Sequence, residues 1–358
     1  MAIKQRVQGW WAKLGRGAED LRDDVQDSIG TDRVVRVGLT VIAVIVLSLT
    51  LLGWYWSNEP ELVGVNEITA NLAQEQNLQS TTGSATTATA IYVARTMLDK
   101  PGGFLHNDVF PPGIFMDNMP NWEYGVLVQT RDMVRALREN FSRSQSQSTE
   151  DPDLTLAEPR FNFKASSWIL PPSESEYRGG IKLLLSYHQR LADPENPQAQ
   201  FYARADNLRF WLGMVSTRMG SMSQRLASAV EQNRVNTDLA GDSAALQSTP
   251  RAAEIRVKTP WMEIDDVFYE SRGAAWAWIH FLRAAEKDFA PVLAKKNAQA
   301  SLAQIIRELE QTQYPVYSPL ILNGNGFGLV ANHSLVMASY IAGANAALID
   351  LRALLSDG

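Results

Sequence analysis

The sequence predicts an all-α protein: a single N-terminal transmembrane helix followed by a helical bundle whose long helices carry heptad-patterned seams. Three observations lead there. Residues 37–58 form a run of 22 without a charge, long enough at about 1.5 Å per residue to cross a hydrocarbon core of roughly 30 Å. Five later stretches space their apolar residues alternately four and three apart, the mark of helices that bury one stripe. Strand-like alternation occurs only at Phe161-Asn162-Phe163, and it is short.

The spanning segment comes first. Arg33 and Arg36 stand just before it, and Trp54-Tyr55-Trp56 close it with the amphipathic aromatics that settle at a headgroup interface. Seven basic residues lie among the first 36, whereas Glu59, Glu61, Glu67 and Glu75 precede the next basic residue, Arg95. Basic flanks stay cytoplasmic. The expected order is therefore a cytoplasmic tail (1–33), a signal anchor (34–57) and a periplasmic helical domain (58–358), with the lipid bilayer as first partner. A cleaved signal peptide fits poorly. The apolar run exceeds a usual h-region, and bulky aromatics occupy the place of a small-x-small site. In the tail, Ile3, Val7, Trp10, Leu14, Leu21 and Val25 fall near one face, with Lys4, Arg6, Lys13 and Arg16 around them. This suits a helix lying in an anionic leaflet; a disordered tail is the alternative. About 33 residues cannot house a kinase, cyclase or DNA-binding output domain.

Composition narrows the classes. A net charge of −6 argues against a nucleic-acid partner, since phosphate binding needs a concentrated basic face. The absence of cysteine removes disulfides, thiolate metal sites and a cysteine nucleophile.

The helical stripes follow in order: Leu127, Thr130, Val134, Leu137, Phe141; then Tyr177, Ile181, Leu184, His188, Leu191; then Phe201, Ala205, Leu208, Leu212, Val215, Met219, Met222, Leu226; then Ile264, Phe268, Ser271, Ala275, Trp278, Leu282, Ala285, Phe289; and last His333, Met337, Tyr340, Ala344, Ala347, Leu351, Leu354. Ser173 with Glu176 reads as a capping box, and Thr259-Pro260 as a cap before a first-turn proline. Pro194 and Pro197 separate two helices that a short connection should fold back antiparallel.

Three irregular stretches interrupt them. SRSQSQS at 142–148 is a polar helix end or linker, and 232–258, containing Gly241 and Pro250, is a hinge candidate between two helical groups. The third, KPGGFLHNDVFPPGIFMDNMPNW at 100–122, is apolar where solvated linkers are polar. It is expected to bury itself, lining the bundle or capping its end.

This stretch, extended as PGGFLHNDVFPPGIFMDNMPNWEYG, together with RSQSQSTEDPDL and QFYARADNL, resembles uncharacterised inner-membrane proteins of Gram-negative proteobacteria, grouped as a domain of unknown function. The resemblance covers nearly the whole chain. It implies an envelope location and carries across no reaction, cofactor or catalytic residue.

The chemical motifs therefore stand on their own. His106, His188, His280 and His333 are scattered, none at metal-ligand spacing; His188 and His333 sit on apolar stripes, as core histidines do. Gly324, Gly326 and Gly328 miss both dinucleotide and P-loop spacing and read as a turn. Asp151-x-Asp153 lacks the further oxygen ligands of a calcium loop. No metal and no cofactor is expected.

The acidic set of the apolar loop, Asp108, Asp117 and Glu123, is the one candidate catalytic group. Carboxylates among apolar side chains have raised pKa values, and a pair of them can cleave a glycosidic bond. The competing reading makes them turn and cap residues, with Asn121 as the helix cap and Glu123 stabilising a helix N-terminus. Phe110, Phe115 and Trp122 are the candidates for docking a partner. Three functions follow. The first is a non-enzymatic, membrane-anchored scaffold or adaptor of the cell envelope, binding another envelope protein or itself. The others are a cell-wall-active hydrolase using the 100–123 carboxylates and a periplasmic ligand sensor.

Overall fold

The computed structural model describes residues 31–144, 148–193, 199–235 and 254–356. The tail helix expected over 1–30, the Pro194-Pro197 connection and the middle of the 232–258 stretch lie outside the described residues. The chain divides into two units, Met1–Tyr55 and Trp56–Gly358. The elements are α1 (Thr31–Trp56), α2 (Val65–Gln76), α3 (Ser84–Asp99), α4 (Asn118–Ala136), α5 (Pro152–Phe161), α6 (Ser173–Ala192), α7 (Ala205–Ala227), β1 (Gln232–Val235), β2 (Glu254–Val257), α8 (Ile264–Asp288), α9 (Ala290–Lys295), α10 (Gln299–Gln311) and α11 (His333–Ser356). The fold is all-α, as the periodicity predicts.

In the first unit α1 runs unbroken for 26 residues, about 39 Å by the helical rise. It is one of two described helices long and apolar enough to cross a membrane; the other is α11. Their surroundings differ. No side chain of α1 from Arg33 to Tyr55 is buried, whereas α11 buries Met337, Ile341, Ala344, Leu348, Leu351 and Leu355 against its neighbours in the second unit. The apolar content of α11 thus serves the bundle.

The second unit is built around α8. Every residue from Ser271 to Leu282 is buried, which marks a helix surrounded on all sides. Its closest neighbour is α4. A Cβ on Gly125 would come within 2.0 Å of the Glu270 carbonyl oxygen, and one on Gly273 within 2.0 Å of that of Trp122. Both helices need their glycine for the backbones to touch. Further contacts join α8 to α3, α7 and α10; α11 packs on α7 and α10, and α6 on α5 and α3. The stripe read on α7 is buried from Leu208 through Leu226, and that on α8 is buried throughout.

Several local expectations differ. The α11 stripe holds at Met337, Ala344 and Leu351, which are buried, but Ile341, Leu348 and Leu355 are buried where Tyr340 and Ala347 are only partly covered and Leu354 is exposed. The helices flanking Pro194 and Pro197 pack on other partners rather than on each other. Phe161 ends α5 and no strand forms there. Among the described residues the strands are β1 and β2, which pair antiparallel with Gln232 opposite Val257, at the two ends of the stretch read as a hinge. No capping box forms at Ser173. Pro172 is the N-cap, and the Ser173 hydroxyl lies within hydrogen-bond reach of the Lys164, Ala165 and Ser167 carbonyls. Thr259-Pro260 leads into a 3-10 turn, Trp261–Glu263, rather than directly into α8.

Two histidines are held neutral in the core. His280 lies 2.8 Å through Nδ1 from the Trp276 carbonyl, and its Nε2 accepts from the Val63 amide at 3.2 Å. That leaves the proton on Nδ1. His188 Nδ1 lies 2.6 Å from Gln76 Oε1. Burial pushes both rings down to about 4. As pH falls from the ordinary histidine value toward 4, the unfolded chain takes up protons that the folded one refuses, so stability falls. Each ring contributes roughly 3 kcal/mol to that loss. Asp266 and Asp288, raised by burial, act in the opposite sense, so the test is a difference. Urea titrations at pH 7 and pH 4 should show a smaller acid-side loss for His280→Gln than for the parent; equal losses would show that His280 titrates normally.

Candidate functional site

The apolar loop at 100–117 leaves α3 and leads into α4. Its base is fixed by one buried ion pair. Lys100 Nζ lies 2.5 Å from Glu123 Oε1, with both side chains essentially inaccessible, and it donates to the Gly103 carbonyl at 2.7 Å. The Leu105 amide donates to both Glu123 oxygens at 2.9 Å, and the His106 amide to Oε2 at 2.8 Å. Burial pushes the Glu123 carboxyl well above the usual carboxylate range, and Lys100 and the two amides pull it back. Both oxygens are engaged from within the fold by these three donors and neither is exposed, so Glu123 braces the loop and is closed to any substrate. It sits past the first turn of α4, so the expected role at a helix N-terminus does not apply.

The other two carboxylates lie elsewhere. Asp117 is the N-cap of α4, its Oδ1 accepting from the Asn118 amide at 2.9 Å. The cap expected at Asn121 is thus Asp117, and Asn121 instead donates to the Asp117 carbonyl and to Asp266 Oδ1. Asp108 is raised first by burial and then by Glu174, with Lys100 opposing. The three have different partners and no shared geometry. Sequence reasoning missed Asp265 and Asp266, which face Asp117. Burial, followed by repulsion from Asp117, lifts both, Asp266 to about 6. Asp117 and Asp265 line a depression of about 200 Å³ with Trp261, Met262 and Leu320.

The docking candidates divide. Trp122 is fully buried against Trp276, ring centroids 5.2 Å apart, and is a core residue, not a docking one. Its position directly after the loop, inside α4, explains the misreading. Phe110 and Phe115 are 70% and 80% exposed, joined by Val109 and Ile114. The loop buries Phe104, Leu105, Asn107, Pro112 and Gly113 but leaves its large tip side chains in solvent, so the expectation that it buries itself fails at its tip.

A groove not foreseen from sequence opens between α8, α11 and the segment after α10. It encloses about 340 Å³ and is lined by Phe268, Arg272, Tyr314, Val316, Tyr317, His333, Val336, Met337 and Tyr340 among others. Arg272 is fully engaged: its guanidinium bonds Glu59 at 2.6 Å and the carbonyls of Thr312, Gln313 and Tyr314. The wall is therefore apolar and aromatic, with its one strong charge neutralised.

The motifs set aside from sequence have structural uses. Asp151 caps α5, and with Asp153 it binds Arg190. Gly324 sits in a turn closed by the Asn323–Asn332 bridge, where a Cβ would meet the Val330 carbonyl oxygen at 1.9 Å. Among the described residues no group of three or more His, Asp or Glu side chains is placed to hold a metal ion.

Residues 30–358 match the model of a family described as uncharacterized protein conserved in bacteria, DUF2333. The chain belongs to this family. No curated protein and no solved structure matches it. Membership in DUF2333 agrees with the resemblance read from the 100–125 segment and assigns no chemistry to that segment.

Proposed function

We propose that the protein is a non-enzymatic, membrane-anchored scaffold or adaptor of the bacterial cell envelope, with its N-terminus cytoplasmic, its anchor in the inner membrane and its helical body in the periplasm. The observation that carries this reading is the groove beside Arg272. Its lining suits an apolar segment of a second envelope protein, and an apolar groove with aromatic walls is what a helix or extended peptide needs for capture. The basic residues before α1 and the acidic ones after it support the topology.

One experiment addresses both parts. Alkaline phosphatase fused after Gly358 should be active, and the fusion purified from native membranes should retain a stoichiometric envelope protein. Val336→Glu, at a half-exposed groove position, should release that protein while Asp108→Asn retains it. An inactive fusion defeats the topology, and a partner indifferent to the groove defeats the adaptor reading.

The hydrolase alternative keeps one specific observation, the depression that sets Asp117 and Asp265 beside Trp261. Muropeptide release by the purified protein, lost in Asp265→Asn, would establish it over the adaptor.

A further inference from the structure

The second unit begins with a strap that has no slack. Trp56, the last residue of α1, is partly buried on the core of that unit, against Gly102 at the base of the apolar loop. Three residues later Glu59 is clamped on Arg272. The strap then runs beside α8, with the Glu61 carbonyl accepting from Trp276 Nε1 at 3.3 Å and the Val63 amide donating to His280. Two residues of strap advance as far as four of helix, so strap and α8 run the same way. Arg272 therefore lies within about 10 Å of chain from the end of the apolar helix. The start of α8 at Ile264 lies about 12 Å back along the axis, toward that end.

The loops gathered at this end present large apolar tips. Phe110 and Phe115 project from the 100–117 loop, with Asn107 of the same loop donating to the Ser167 carbonyl and to Glu174. Directly after Ser167 come Trp168, Ile169 and Leu170, all exposed. Leu170 is 89% exposed and has φ +56, a left-handed conformation rare for leucine and often a sign of function. On the other side, Asp117 shares its depression with Trp261 and Met262, 75% and 79% exposed. The three groups are linked through one loop, and apart from the shallow depression beside Trp261 they consist of protruding single side chains.

We propose that this end of the body is seated in the headgroup layer of the bilayer, with Phe110, Phe115, Leu170, Trp261 and Met262 inserted to the acyl boundary. The short strap selects this occupant. An interfacial layer is only roughly 6 Å deep on each side of the hydrocarbon, so a body clamped three residues beyond a spanning helix lies against it. Tryptophan, phenylalanine and leucine tips are what such a layer accepts. The carboxylates beside Trp261 (Asp117, Glu263, Asp265, Asp266) disfavour an anionic surface, so insertion relies on apolar burial and is expected in zwitterionic lipid.

The chain contains no cysteine, so single labels can be placed in the full-length protein reconstituted in phosphatidylcholine nanodiscs. A spin label at Phe115→Cys, Leu170→Cys or Trp261→Cys should be reached by oxygen, which partitions into lipid, and protected from an aqueous nickel chelate. A label at Glu286→Cys, exposed and about 33 Å along α8 from Ile264, should show the reverse. Phe110→Cys and Met262→Cys stand in for any variant that loses helicity. Labels at the tips as open to the chelate as that at residue 286 would overturn the proposal. So would labels shielded from both reagents, which would mean a contact with a second copy of the chain.

Discussion

Replacing Gly273 by leucine is expected to leave the body unable to reach its native packing, and even Gly273→Ala should cost about 3 kcal/mol. The reason is the identity of the atom in the way. A Cβ at this position meets the Trp122 carbonyl oxygen, part of the α4 backbone, at 2.0 Å. A flexible side chain could swing aside; a hydrogen-bonded helical backbone moves only with its helix. Displacing α4 would separate the most extensive helix pair of the body and disturb Trp122 against Trp276. Overpacking alone costs about 1–3 kcal/mol, and the loss of this interface adds to it. Gly125→Ala approaches the same crossing from the other side, against Glu270, and should behave alike. Urea unfolding followed by circular dichroism on the body from Glu59 onward is the measurement. A Gly273→Ala protein as stable as the parent would mean that the two helices do not approach as described.

The second large effect is expected at Glu123. Glu123→Gln leaves the Lys100 ammonium in a site closed to water, and removing one partner of a buried pair costs about 3–5 kcal/mol. Lys100→Met with Glu123→Leu removes both charges and should recover part of that loss, with the Leu105 and His106 amides still short of an acceptor. A catalytic Glu123 makes the opposite prediction: the single variant would stay folded and lose a reaction. Melting curves of the single and double variants separate the two, and a Glu123→Gln protein of parental stability would reopen the catalytic reading.

What the sequence disclosed and what it concealed follow from range. On α7 the four-three spacing from Leu208 to Leu226 named the buried face because, apart from Phe210, Trp211 and Met214, polar and small residues fill the other positions. On α11 the same spacing found Met337, Ala344 and Leu351 but slipped by one residue at the positions between them. Tyr340 and Ala347 stand next to Ile341 and Leu348, and a helix apolar on most sides offers two equally good stripes. The short strands were hidden because Gln232–Val235 and Glu254–Val257 are polar, and their pairing spans a gap that no local pattern bridges. The site suffered most. Asp108, Asp117 and Glu123 lie close in sequence, yet one caps a helix, one braces a loop and one faces Glu174. The partners that decide these roles, Lys100 for Glu123 and Asp266 for Asn121, come from other elements. Arg272 gave no local sign that it would clamp Glu59, 213 residues away.

The strap from Glu59 to Val63 also has a mechanical consequence. Its three attachments to Arg272, Trp276 and His280 succeed one another at one per helical turn. A pull on the strap along that line loads all three together, in shear, instead of peeling them open singly. A load on the strap is therefore shared along the middle of the buried central helix. The groove beside Arg272 shares that residue with the first rung, so whatever fills the groove and whatever pulls on the strap would act on the same guanidinium.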